Sequence, residues 1–156
     1  MSSLVAYFSA TGTTARAATR LAQAIGADLF EIVPERPYSA ADLNWNDKSS
    51  RSSVEMADES CRPAIASLVD NMDDYDTVYV GFPVWWYVEP RIVDTFLEAH
   101  DLAGKTVVPF ATSGGSGLGR APQRMAELAP GARVAEGRML NGNPGLDELR
   151  DWAASL

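Results

Sequence analysis

The chain has 156 residues, 46% of them hydrophobic and 22% charged, a make-up that fits a single globular domain and neither a disordered nor a membrane-embedded polypeptide. Its formal net charge of -8 works against binding nucleic acid or anionic membranes and steers basic partners toward it. A single cysteine, Cys61, rules out an intrachain disulfide, and a single histidine, His100, beside it leaves no zinc or copper site of the usual kind.

Met1-Ser2-Ser3 lacks the basic residues of a signal peptide, and the apolar run after it is too short for one, so a cytoplasmic location is expected. Leu4-Val5-Ala6-Tyr7-Phe8 is a continuous apolar run and predicts a strand buried on both faces. Residues 13–26 carry Ala17, Ala18, Leu21, Ala22 and Ile25 at helical spacing and stop at Gly26. Residues 29–33 predict a second strand, closed by Pro34. Residues 34–60 are polar and read as a long loop with one short helix near 39–43. Ile65, Leu68, Val69 and Met72 predict a helix over 62–72. Residues 77–82 predict a third strand, and 90–99 a helix opened by Pro90. Residues 106–112 predict a fourth strand, with Pro109 out of place for a central position. A helix near 119–128, a short strand near 133–136 and a last helix from about Gly145 complete the pattern. Glu89 and His100 lie near helix ends, where solvated side chains are expected.

Strands that are apolar throughout and alternate with helices imply a parallel sheet covered on both faces. Five such strands fit a three-layer α/β sandwich. Ligands of these sheets sit beyond the carboxyl ends of the strands, where strand order reverses. The segments after the first, third and fourth strands should therefore converge.

The first of them, Ser9-Ala10-Thr11-Gly12-Thr13-Thr14, offers hydroxyls, a glycine and the free amides of a helix N-terminus, the parts of a phosphate cradle. It has no lysine and no G-x-G-x-x-G pattern, so a terminal monophosphate suits it better than a triphosphate or a dinucleotide. A simple capping turn has the same composition. The second, Pro83-Val84-Trp85-Trp86-Tyr87, puts three aromatics in a row after a strand. One of them should face the crevice, where it could stack on a flat ring, unless all three are core or interface anchors. The third, Thr112-Ser113-Gly114-Gly115-Ser116-Gly117, is a loop through which backbone amides can approach a ligand closely.

Together, Tyr7-Phe8-Ser9-Ala10-Thr11-Gly12-Thr13-Thr14, Gly81-Phe82-Pro83-Val84-Trp85-Trp86 and Phe110-Ala111-Thr112-Ser113-Gly114-Gly115-Ser116-Gly117 resemble the flavodoxin superfamily, in particular its short bacterial branch. The resemblance spans nearly the whole chain. It implies a five-stranded parallel sheet in the order 2-1-3-4-5 and FMN as redox cofactor. It further implies that Ser9, Ala10, Thr11, Gly12, Thr13 and Thr14 hold the phosphate. Pro83, Val84, Trp85, Trp86 and Tyr87 would flank the ring, Trp85 stacking on it. Thr112, Ser113, Gly114, Gly115 and Gly117 would offer amides to its pyrimidine edge. The electron carriers of this family cover the second ring face with a tyrosine from the loop after the fourth strand. Here that loop has no aromatic, so the face is open or is covered from 34–60 by Tyr38 or Trp45. Arg16, near the phosphate loop, reads as a surface helix residue.

Two functions follow from the resemblance. One is an electron carrier that serves a redox partner protein, as a monomer or homodimer. The other is an NAD(P)H-dependent FMN or quinone reductase with a small donor or acceptor at the open ring face. An FMN-free interaction domain is the non-redox alternative. No side chain stands out as an acid, base or nucleophile.

Overall fold

The computed structural model describes residues 2–113 and 115–156. The apolar runs form strands β1 (Ser2–Tyr7), β2 (Asp28–Glu31), β3 (Tyr75–Pro83) and β4 (Thr106–Thr112). The later part of the chain adds two short strands, β5 (Arg133–Val134) and β6 (Arg138–Met139). All pairings are parallel, in the order β2-β1-β3-β4-β5, with β6 also on β4. The expected order 2-1-3-4-5 is present, its fifth position shared by two short strands. Five α-helices are described: α1 (Thr13–Ile25), α2 (Arg51–Ala57), α3 (Arg91–Ala99), α4 (Ala121–Leu128) and α5 (Leu146–Ala154).

Side chains alternate across the sheet with period two, and both faces are apolar. Val5, Tyr79, Val108 and Phe110 meet Ala18 and Leu21 of α1 and Leu149 of α5. Leu4, Val78, Val80 and Phe82 meet Ile92, Phe96 and Leu97 of α3 and Met125 of α4. Each large side chain removed from water in these two layers stabilises the fold by about 1.5–3 kcal/mol.

Pro109 fits its central strand because of the break between β5 and β6. The carbonyls of Val107 and Ala111 accept from Ala135 and Leu140 on that side. Odd positions of β4 thus face the outer strands, and Pro109, which has no N–H to offer, falls where those strands part.

The segment between β2 and β3 departs from expectation. Residues 62–72 are not a helix. Pro34 bridges Ile65 in antiparallel fashion, Ala66 N donates to the Val33 carbonyl, and Glu35 N donates to Ala64. These tertiary hydrogen bonds satisfy the backbone in an extended path, and Ile65, Val69 and Met72 still reach the core, Met72 opening a short 3-10 turn. Residues 39–43 form hydrogen-bonded turns, with Ser39 and Asp42 capping each other. The helix of this region is α2, where Ser50 caps Ser53 N and Arg51 pairs with Glu55 one turn on.

Candidate functional site

The three loops converge beyond the carboxyl ends of β1, β3 and β4, where the chain turns from one side of β1 to the other. Two hydrogen bonds tie them together. The buried hydroxyls of Thr14 and Thr112 lie 2.8 Å apart, and Val84 N donates to the Thr112 carbonyl at 3.0 Å. Between the loops is a cavity of about 840 Å³, within the size range of small-molecule and cofactor sites.

At one end of the cavity is the N-terminus of α1. Ser9 Oγ accepts from the amides of Gly12 and Ala15, both at 3.1 Å, and so organises the turn from inside. Gly12 stands at φ +95°, a left-handed conformation that favours glycine. Among the described residues, the amides of Thr13 and Thr14 at the start of α1 have no partner, and no acidic side chain occupies the first turn. Ala10, Thr11 and Thr13 line the cavity, with Thr11 and Thr13 exposed. Ser9, Gly12 and Thr14 stand behind them as support. Arg16 is exposed, and its guanidinium reaches Thr13 Oγ1 at 3.4 Å.

Pro83, Val84, Trp85, Trp86 and Tyr87 all line the cavity. Trp85 is half-buried and meets Phe8 and Tyr38 edge to face, with ring centroids 5.7 and 5.5 Å away. Trp85 and Val88 exchange backbone hydrogen bonds at 3.0 and 3.1 Å, closing a tight turn. At its tip Trp86 and Tyr87 both have positive φ, 48° and 68°. Left-handed backbone at bulky residues costs about 1–3 kcal/mol each and clusters at functional sites. The tip is open to solvent, Trp86 being 45% and Tyr87 71% exposed.

The third wall comes from Thr112, Ser113 and Gly115. Ser113 Oγ accepts from the amides of Gly115 and Ser116, and Ser113 N donates to Asn141 Oδ1 at 2.9 Å. The loop is thereby shaped by its own hydroxyls. Gly117 is not part of the cavity wall, and Gly114 lies outside the described residues.

Ser116, part of the glycine-rich loop read from the sequence, also lines the cavity, as do Leu43 and Ser52, which sequence reasoning did not single out. Trp45, considered as ring cover, borders it and is 70% exposed. Tyr38 lies deeper, donating to Glu55 Oε1 at 2.5 Å under the Arg51 guanidinium, 3.8 Å from its ring. Burial and the Glu55 carboxylate hold its phenol far above the ordinary tyrosine range. Ser52 Oγ is buried and has no hydrogen-bond partner among the described residues, an acceptor and donor in reserve at the cavity wall. The Ser50 cap and the Arg51–Glu55 pair, which place Ser52, were the available signal for α2.

Behind the aromatic turn the sequence expectation fails. Glu89 is fully buried and no solvated helix end. It accepts from Arg124 Nε at 3.2 Å. Burial first, then the neighbouring Asp94, push its carboxyl up to about 9 despite Arg124. Asp94 Oδ2 has the guanidiniums of Arg124, Arg91 and Arg62 at 3.1, 3.7 and 3.8 Å. His100 is likewise engaged: Nε2 accepts from Val69 N at 3.0 Å, so Nδ1 carries the proton and donates to the Phe96 carbonyl at 2.8 Å. It latches the extended 62–72 segment to α3.

A parallel sheet in this order, with a neutral cavity at its switch point, defines a flavodoxin-like α/β protein. The sequence model of the flavodoxin family matches residues 2–156, and the chain belongs to that family. Among solved structures, a candidate flavoprotein of Bacteroides eggerthii is 52% identical, with 99% of this chain and 96% of that chain covered and a TM-score of 0.94. A second, from Bacteroides uniformis, is 50% identical over 98% and 97%, with a TM-score of 0.92. A flavoprotein of Lactobacillus acidophilus, solved in complex with FMN, shares the fold at 23% identity over 97% and 98%, with a TM-score of 0.75. Among curated proteins, none matches the chain. No described helix is long and apolar enough to cross a membrane.

Proposed function

We propose that the protein binds one FMN non-covalently in the 840 Å³ cavity and acts as a redox protein through it. The observation that carries this reading is the cavity's chemistry: no charged side chain lines it, an unblocked helix N-terminus stands at one end, and a strained aromatic turn stands at the other. A phosphate suits the amides of Thr13 and Thr14 with the hydroxyls of Thr11 and Thr13. A flat, mostly apolar ring suits Pro83, Val84 and the three aromatics. Its polar edge suits the wall made by Thr112, Ser113, Gly115 and Ser116. Ser52 Oγ, which lacks a partner, suits a polar group of the same ligand. Family membership and the FMN complex of the Lactobacillus acidophilus protein support the choice of cofactor. FMN supplies one- and two-electron redox chemistry when bound; the protein supplies orientation, electrostatics and access.

The carrier reading is supported by the net charge of -8, which would steer a basic redox partner. A reductase with a small donor or acceptor is supported by the exposed Trp86–Tyr87 tip, which leaves the cavity approachable from solvent. Mixing the FMN-loaded protein with NADPH separates them, since fast bleaching of the flavin band identifies the reductase and an unchanged spectrum the carrier.

The site itself is tested by titrating the FMN-free chain with FMN and with riboflavin. FMN should bind far more tightly, and Thr13→Ala should weaken FMN by at least about tenfold, as expected for a lost charge-assisted hydrogen bond. Thr14→Ala should instead lower stability by about 1 kcal/mol, because its hydroxyl is buried against Thr112. Equal affinity for FMN and riboflavin would remove the 9–14 loop from the site.

A further inference from the structure

The aromatic turn has a second cavity on its other side. Trp86 and Tyr87 line both, so the turn is a party wall between the large cavity and one of about 290 Å³. The smaller cavity is of a different character. Arg91, Arg120 and Arg124 line it, together with Met56, Val88 and Glu59.

One of these guanidiniums, that of Arg120, has donors to spare. Arg91 is buried, 4% exposed, with Nη2 donating to the Met56 carbonyl at 2.9 Å and Nε to that of Glu55 at 3.4 Å. Its Nη1 is enclosed, without a hydrogen-bond partner among the described residues, and lies 3.7 Å from Asp94 Oδ2. Arg120 is exposed, and among the described residues its side chain makes no hydrogen bond or ion pair. Arg124 is committed to Glu89 and Asp94 through Nε and Nη2, and its Nη1 lies 3.5 Å from Glu59. Three guanidiniums, of Arg91, Arg120 and Arg124, thus line this cavity against one carboxylate, that of Glu59. The excess of positive charge suits a small anion.

We propose that this cavity binds the carboxylate of a small organic molecule, held by Arg120 in the positive field of Arg91 and Arg124, with its apolar body against Met56, Val88 and the rings of the turn. A guanidinium fork matches a carboxylate with two parallel hydrogen bonds. The volume lies at the lower end for small-molecule sites, so the ligand is compact. The shared wall places such a molecule on the other side of the Trp86–Tyr87 turn from the large cavity. This gives the FMN-dependent reading a substrate class, small aromatic or short aliphatic carboxylates, and to that extent it rests on that reading.

Calorimetric titration with benzoate tests it, with benzamide as the neutral counterpart and inorganic phosphate as the competing anion. The full chain is used both without and with FMN, so that the anion site is measured whether or not FMN binds. FMN affinity is read in a separate titration, which keeps failure of the cofactor reading distinct. Benzoate should bind saturably, with a Kd of ~1 mM or tighter, in both forms, and benzamide should not. Arg120→Gln should weaken benzoate at least about tenfold, and Arg120→Lys should recover part of the loss. Arg120 is on the surface, so both variants keep the fold. Absence of benzoate binding, equal binding of benzamide, or an unchanged affinity in Arg120→Gln would overturn the site. Phosphate binding more tightly than benzoate would overturn the assignment to a carboxylate.

Discussion

Glu89 is the residue whose behaviour is least ordinary. A carboxyl that directly follows the aromatic turn, at the foot of α3, is where exposure is expected, yet it has no exposed surface and its Oε1 has no partner among the described residues. An unfolded glutamate titrates near pH 4.3, whereas burial and Asp94 raise the folded group to about 9. Between those values the folded chain holds a proton that the unfolded chain has released. Folded stability contributed by this group is complete below about pH 4.3 and is lost as pH rises toward 9. Glu89→Gln stays neutral throughout. Urea unfolding of both proteins from about pH 5 to 9 should therefore show the variant gaining on the wild type as pH rises. A difference that does not change with pH would mean that Glu89 ionises normally. Thr14 makes a similar point on a smaller scale: one of four hydroxyls in its loop, it is spent inside the protein on Thr112, and only position in the fold separates it from Thr13.

At the scale of elements, the segment 34–74 decides how the large cavity is closed. Its polar composition hides a short, capped helix, α2, that presents Ser52 to the cavity while Arg91 binds the carbonyls of Glu55 and Met56 near its C-terminal end. Arg91 belongs to α3, so the cover is fastened to the framework by a buried side chain. Leu43 and Trp45, from the turns before α2, border the cavity without such fastening, and Trp45 is largely exposed. Ligand in the cavity should order this stretch. Hydrogen exchange across residues 38–58 should slow on addition of FMN, most strongly near Leu43 and Trp45 and least in α2. Protection confined to the 9–14 and 83–87 loops would show that the segment is not a cover.

At the scale of the whole molecule, the net charge of -8 is the property that reaches furthest into solution. The cavity wall is free of charged side chains, so the field that an approaching partner meets comes from the surface rather than from the site. If the protein serves a basic redox partner, the bimolecular rate of electron transfer should fall steeply between low and physiological ionic strength, and stopped-flow kinetics would measure it. A neutral small-molecule donor should show almost no salt dependence in the same experiment.

What the sequence determined by itself is the sheet and the three loops. Apolar runs at 4–8, 77–82 and 106–112 read as strands buried on both faces, because they are short, rich in valine and aromatics, and bounded by glycine, proline or serine. The hydroxyls, aromatics and glycines that follow are local chemistry, legible wherever the chain is read. Tertiary structure decided what depends on partners far along the chain. The spacing of Ile65, Leu68, Val69 and Met72 suits a helix, yet backbone hydrogen bonds to Val33 and Glu35 and the His100 latch hold that stretch extended. Pro109 is acceptable only because β5 and β6 part beside it. Glu89 and Asp94 share one desolvated site with Arg62, Arg91 and Arg124, a cluster that no window of sequence contains. Local propensity is carried by neighbours in the chain, but desolvation, charge pairing and the shape of a cavity are carried by neighbours in space.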